Sequence, residues 1–155
     1  MYHKYFEHDD GGRASAGYVG KTGDCVVRAI AIATGRPYSE VYSDMKKLTK
    51  QYAITRRDKV AKALNGSKRA PSPRGGTYKK VYHDYILEHG FKWVATMQVG
   101  SGCKVHLRKD ELPDGTLIVQ VSKHLCTVID GTIHDIGDPS REGTRCVYGY
   151  YKKEE

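Results

Sequence analysis

The pair Asp130-Gly131, set between the β-prone runs 124–129 and 132–136, constrains this chain more than any other feature. A two-residue Asp-Gly loop selects a type I′ turn, whose twist matches that of the flanking strands. The turn sets the register. Ile129 falls opposite Thr132, Cys126 opposite Asp135, and His124 opposite Gly137. Side chains alternate between faces along a strand, so His124, Cys126 and Val128 share a face with Ile133 and Asp135. Asp135 is then the diagonal neighbour of His124, a distance that long side chains bridge. Moving the loop by one residue, to Gly131-Thr132, keeps the two on one face at greater separation. Asp138 faces the other way in both registers while the strand lasts. A carboxylate beside an imidazole holds its tautomer and stabilises its protonated form.

A second feature lies a hundred residues earlier. The run Gly23-Asp24-Cys25-Val26-Val27-Arg28-Ala29-Ile30-Ala31-Ile32-Ala33-Thr34-Gly35 reads as a short apolar helix over 24–34. Asp24 is a suitable N-cap, Gly35 can end the helix in the left-handed conformation, and Pro37 cannot continue it. Cys25 therefore sits in the first turn. There the unpaired amide dipoles favour negative charge and lower the pKa of a thiol. A thiol so placed, a histidine as its base and an acid to orient the histidine make a nucleophilic constellation for attack on a carbonyl. Taken singly, each member has a structural reading: Cys25 as a buried small hydrophobe, His124 as a surface histidine, Asp135 as a turn or cap residue. His134 points to the opposite face and is read as structural.

Between these features the pattern is helical first and β-rich later. Residues 1–21 read as an irregular lead-in. Ser39 is a candidate N-cap for a helix over about 40–52, with Val41, Met45, Leu48 and Tyr52 at helical spacing. Val60, Ala61 and Leu64 suggest a further turn or short helix. Gly- and Pro-rich residues through Gly76 then break regular structure. Thr77 caps a third helix that stops at Gly90. Strands are expected over 91–97, 116–122, 124–129, 132–136 and 145–151, with 106–111 ambiguous. Helices followed by an antiparallel sheet make an α+β arrangement, and 155 residues suffice for a single domain over 1–155 with its own core.

The net charge of +8 is concentrated. The 53–76 stretch, read as a basic loop, carries Arg56, Arg57, Lys59, Lys62, Lys68, Arg69 and Arg74 against the single acid Asp58. It suits contact with nucleic acid or another polyanion. The lack of interleaved aromatic residues favours a merely solvated loop. No apolar run is long enough to span a membrane, and the N-terminal residues lack the apolar region of a signal peptide. The four dispersed cysteines (Cys25, Cys103, Cys126, Cys146) are accordingly expected to be thiols in a cytoplasmic protein. Cys103 and His106 have a metal-ligand spacing that Cys126 and Cys146 could complete. The absence of any Cys-x-x-Cys pair argues against a structural zinc. No cofactor motif is present, since Gly75-Gly76 lacks the Lys-Ser/Thr of a phosphate loop.

Asp24-Cys25 at the head of an alanine-rich helix, followed by His124-Leu125-Cys126-Thr127-Val128-Ile129-Asp130-Gly131-Thr132-Ile133-His134-Asp135, resembles the papain-like cysteine peptidase superfamily. The likeness is to its small bacterial and phage members, including the peptidase domains of bacteriocin exporters. It covers roughly 20–35 and 115–150. It implies a papain-like fold and a cysteine protease or related thiol hydrolase or acyltransferase. Cys25, His124 and Asp135 would form the catalytic triad, acting on a protein or peptide substrate. A non-catalytic member of that fold, binding nucleic acid or an acidic protein through the basic stretch, is the alternative. One departure stands out. The family places a Gln or similar donor a few residues before the Cys, and no Gln or Asn precedes Cys25 here. The backbone N–H of Cys25 can supply one oxyanion donor, leaving the second to Tyr18, Lys21 or Thr22, or absent.

Overall fold

The computed structural model describes residues 5–20, 22–67, 72–98 and 100–154. Its elements in chain order are β1 (Phe6–His8), α1 (Cys25–Thr34), α2 (Tyr38–Thr55), α3 (Lys59–Asn65), α4 (Lys79–Glu88), β2 (Phe91–Ala95), β3 (Thr116–Val121), β4 (His124–Ile129), β5 (Thr132–Asp135) and β6 (Gly149–Lys153). The strands form one six-stranded sheet in the order β1-β5-β4-β3-β6-β2. All pairings are antiparallel except β1 with β5. The class is α+β, as the order of periodicities implies.

The hairpin has the expected register, with Ile129 opposite Thr132 and Val128 opposite Ile133. Its turn residues lie at φ 48° for Asp130 and 82° for Gly131, the paired positive values that a type I′ turn needs. Alternation along β4 then divides its side chains between two cores. Leu125 joins the helix-side cluster with Val27, Ile30, Met45, Ile86 and Tyr151, and the Thr127 hydroxyl donates to the Ala29 carbonyl of α1 at 2.6 Å. Cys126 and Val128 face a second cluster closed by Leu107, Leu112 and Val147. The sheet is thus covered by helices on one face and by an ordered loop on the other.

Several local expectations give way to tertiary contacts. The lead-in is not wholly irregular: β1 pairs with β5, extending the sheet edge. Helix α2 begins after Pro37 rather than at a Ser39 cap, because Pro37 already has the extended backbone of an N-cap (φ −57°, ψ 139°). Tyr78, not Thr77, precedes α4 in the cap position. The 53–76 stretch is not a loop throughout. It holds the end of α2 and then α3, where Asp58 accepts from the Ala61 amide at 2.9 Å and Ala61 and Leu64 are buried. Arg56, Arg57, Lys59 and Lys62 are exposed there, while Lys68 and Arg69 lie outside the described residues.

The last strand also starts later than its residues suggest. Residues 145–147 pair instead with the 105–107 segment, through Leu107 N–H to Arg145 O and Val147 N–H to Val105 O, both 2.8 Å. That pairing brings Cys103 and Cys146 together in a disulfide, with Cα atoms 5.8 Å apart. Two of the four expected thiols are therefore bonded, and the same bond removes both from any zinc site. Cys25 and Cys126 are free. Among the described residues no helix is long and apolar enough to cross a membrane.

The disulfide closes a loop of 43 residues, so its reduction should lower the unfolding free energy by up to about 4 kcal/mol. Urea unfolding of oxidised and reduced protein checks this. Peptide mapping without reductant should recover Cys103 and Cys146 as one linked species.

Candidate active site

The head of α1 is organised by a carboxylate that does not do what its position suggests. Asp24 occupies the N-cap position, but its side chain makes no capping hydrogen bond. It is fully buried and accepts instead from Arg13 Nε at 2.9 Å, from Arg28 Nε at 3.2 Å and from the Tyr38 hydroxyl. A guanidinium outcompetes a backbone amide for a buried carboxylate because it adds a full opposite charge to the hydrogen bond. The first-turn amides of α1, beginning with that of Cys25, are left without a side-chain cap.

Arg28 carries the chain of charges onward. It is buried in an otherwise apolar helix, donates from Nη1 to Asp135 Oδ1 at 3.0 Å, and donates from Nη2 to the Thr22 carbonyl at 3.0 Å. Asp135 Oδ1 also accepts the Ile136 amide at 2.7 Å. Its other oxygen, Oδ2, lies 2.6 Å from His124 Nε2. The diagonal relation inferred from the hairpin is thus realised as a direct contact. With Nε2 engaged by Asp135, His124 lines the same groove as Cys25 and interacts electrostatically with its thiol, as do the Leu125 amide and Arg28. Cys25, His124 and Asp135 are therefore one connected group. Tyr18, one of the residues considered as a second oxyanion donor, packs instead against Tyr38 and Tyr42.

These contacts set the protonation states. Burial pushes the Cys25 thiol up, but the hydrogen bond and charge of His124, the Leu125 amide and the charge of Arg28 outweigh it and hold the pKa below the usual 9.0. Burial alone would lower the His124 pKa. Its hydrogen bonds to Asp135 and Cys25, with the charges of both, raise it from 6.5 to about 9. Both shifts run toward a thiolate beside an imidazolium. Cys126, one residue beyond Leu125, shows the opposite environment. Complete burial, then the charges of Asp135 and Cys25, drive its thiol well above the usual value, so it stays protonated and inert.

The thiol opens on a groove of about 860 Å³, ample for part of a peptide. One wall is the head of α1 with Thr22 and Gly23; another is 75–79 and Tyr82; the third is the end of β3 and the start of β4. Gly23 lets two walls meet closely, because a Cβ there would lie 2.5 Å from the Arg74 carbonyl. Two polar atoms in the lining, Gln120 Oε1 and Thr77 Oγ1, are buried without a hydrogen-bond partner. Such an atom costs about 1–3 kcal/mol, which a polar ligand in the groove would offset. Lys79, seated 3.8 Å over the Trp93 ring, and Lys123 also line the groove, and no carboxylate does. Among the described residues no cluster of three His, Cys, Asp or Glu side chains is arranged to hold a metal ion.

Sequence reasoning brought together Cys25, His124 and Asp135 but missed Arg13, Arg28 and Gln120. Arg28 left a signal: a single arginine inside a run of apolar helix residues, four positions after an aspartate. Arg13 and Gln120 left none. No protein-family model, curated protein or solved structure matches this chain.

Two outcomes test the site as built. Asp24→Ala takes the carboxylate from Arg13 and leaves Arg28 with the single carboxylate of Asp135, and should cost about 3–5 kcal/mol of stability in urea unfolding. The pH dependence has a definite sign. In the wild type, raising His124 and lowering Cys25 oppose each other in proton uptake. Cys25→Ser isolates the histidine. Asp135 then remains as the group that raises the His124 pKa, and the stability so contributed is complete below pH 6.5 and lost as pH rises through the folded value. Cys25→Ser should therefore lose stability between pH 6 and pH 9.5 relative to Cys25→Ser/His124→Gln.

Proposed function

We propose that this protein is a papain-like thiol hydrolase or acyltransferase acting on an amide or related carbonyl of a protein or peptide substrate. The observation that carries the proposal is the connected Cys25–His124–Asp135 group, with His124 Nε2 and Asp135 Oδ2 2.6 Å apart, at the head of α1 and facing a groove. The Cys25 sulfur attacks the carbonyl carbon and forms an S–C bond, while the C=O electron pair moves onto oxygen. As that pair returns, the C–N bond breaks and the His124 imidazolium gives its proton to the departing amine. Water or another amine, deprotonated by His124, then attacks the thioester and restores the thiol. Asp135 keeps the ring oriented and favours its charged form. A helix bearing the cysteine, packed on a mixed sheet whose antiparallel β4–β5 hairpin bears the histidine and the acid, supports the papain-like assignment.

A second reading has its own observation. Arg56, Arg57, Lys59 and Lys62 are exposed around α3, and the one acid among them, Asp58, is occupied by the Tyr52 hydroxyl, the Ala61 amide and Lys80. In that reading the chain binds nucleic acid or an acidic protein without catalysis, and affinity falls steeply with salt.

Alkylation by iodoacetamide tests the first reading, because the reagent reacts with thiolate. Cys25 should label at least about tenfold faster than Cys126 at neutral pH. His124→Ala should move the Cys25 profile up toward the ordinary value of 9.0. Equal labelling of Cys25 and Cys126 in the folded protein would refute the activated thiolate. Cys25→Ala separates the two readings: it abolishes turnover and leaves salt-sensitive polyanion binding intact.

A further inference from the structure

We infer that Gln120 is the second oxyanion donor of this site, which rests on the reading of Cys25 as the nucleophile. The argument begins with register. Gln120 on β3 stands directly opposite Leu125 on β4, the residue after His124, and Gln120, His124 and Cys25 line one groove. Directly opposed residues of an antiparallel pair lie about 4.5–5.5 Å apart at Cα and share a face. Leu125 faces α1, so Gln120 faces the same side, at the open end of the strand, where it lines the groove together with Cys25 and His124.

The carboxamide is placed there without internal work to do. Its Oε1 is buried and has no hydrogen-bond partner. Nε2 is not among the buried unpartnered atoms, so it is the end of the carboxamide open to the groove, and the terminal torsion of a glutamine is broad. The backbone of Gln120 is held independently, since its carbonyl accepts the Tyr148 amide at 2.9 Å. The side chain can therefore turn on a fixed base. This supplies what the residues before Cys25 lack: a neutral N–H donor beside the nucleophile. It complements the Cys25 amide, which Asp24 leaves uncapped. As the thiolate attacks, the two donors converge on the oxygen that takes up the carbonyl electron pair. Removing one such donor typically costs about 10²–10³ in rate.

Tyr82 is the competing donor, because it lines the same groove and its hydroxyl is close enough to feel the Cys25 charge. Burial, with that charge second, raises its pKa and keeps it protonated. Its position on α4, across the groove from β3, makes it a wall for the substrate.

Two reagents that react with the same sulfur separate these roles. With p-nitrophenyl acetate the sulfur bonds to the carbonyl carbon, an oxyanion forms, and p-nitrophenolate leaves with its electron pair as the carbonyl closes. With iodoacetamide the sulfur displaces iodide at a methylene carbon and no oxyanion forms. In Gln120→Met, which keeps the length of the side chain and removes the donor, the acylation burst should slow about 10–100-fold while alkylation stays within twofold. Gln120→Leu, uncharged and without an N–H donor, should behave the same way, and guards against misfolding of the first variant. Equal effects on both reactions, no effect on either, or a selective loss in Tyr82→Phe instead would overturn the assignment of Gln120. Slow alkylation of wild-type Cys25 would instead overturn the nucleophile itself.

Discussion

The buried chain of charges from Asp24 through Arg28 to Asp135 is the interaction on which the rest depends. It joins the N-terminal segment, through Arg13, to α1 and then to the end of β5. Desolvating such groups is expensive, and in general their mutual attraction only about repays it. What the arrangement secures is position. Any displacement of α1 along the sheet would leave a carboxylate or guanidinium buried and unpaired. The same chain explains why the cap position of α1 does not cap: Asp24 is consumed by two arginines and a tyrosine, which leaves the first-turn amides for the site. Arg28 does two things at once, orienting Asp135 and placing positive charge near the Cys25 sulfur.

The two free cysteines, Cys25 and Cys126, illustrate how far environment decides chemistry. Cys25 has an imidazolium, a backbone amide and a guanidinium to receive negative charge. Cys126 faces the apolar second core, where burial and the charges of Asp135 and Cys25 outweigh the opposing charge of Arg145. One thiol is held toward the thiolate and the other away from it. The difference comes from the face of the sheet that each occupies.

That second core is what makes the sheet a two-sided layer. The 103–112 segment covers the face opposite the helices and is fastened by the Cys103–Cys146 disulfide and by the backbone pairing around it. With both faces covered, the open end of β3 and β4 becomes the place where a groove can form. His124 begins β4 there, after Lys123 turns the chain at φ 57°.

Much of this was legible from residues alone. The Asp130-Gly131 turn determines a register, the register determines that His124 and Asp135 meet, and Gly23 through Gly35 determines a short helix headed by Cys25. These are local consequences of backbone geometry and two-residue periodicity, which need no knowledge of distant segments. The sequence alone did not decide where Asp24 turns its carboxylate, because that choice depends on Arg13 and Tyr38 arriving from elsewhere. Nor did it decide the pairing of Cys103 with Cys146, the length of the last strand, or the place of Gln120 in one groove with Cys25, ninety-five residues earlier. Each of those rests on contacts between segments far apart in the chain. Only tertiary packing settles such contacts, since burial and charge pairing are summed over the whole molecule.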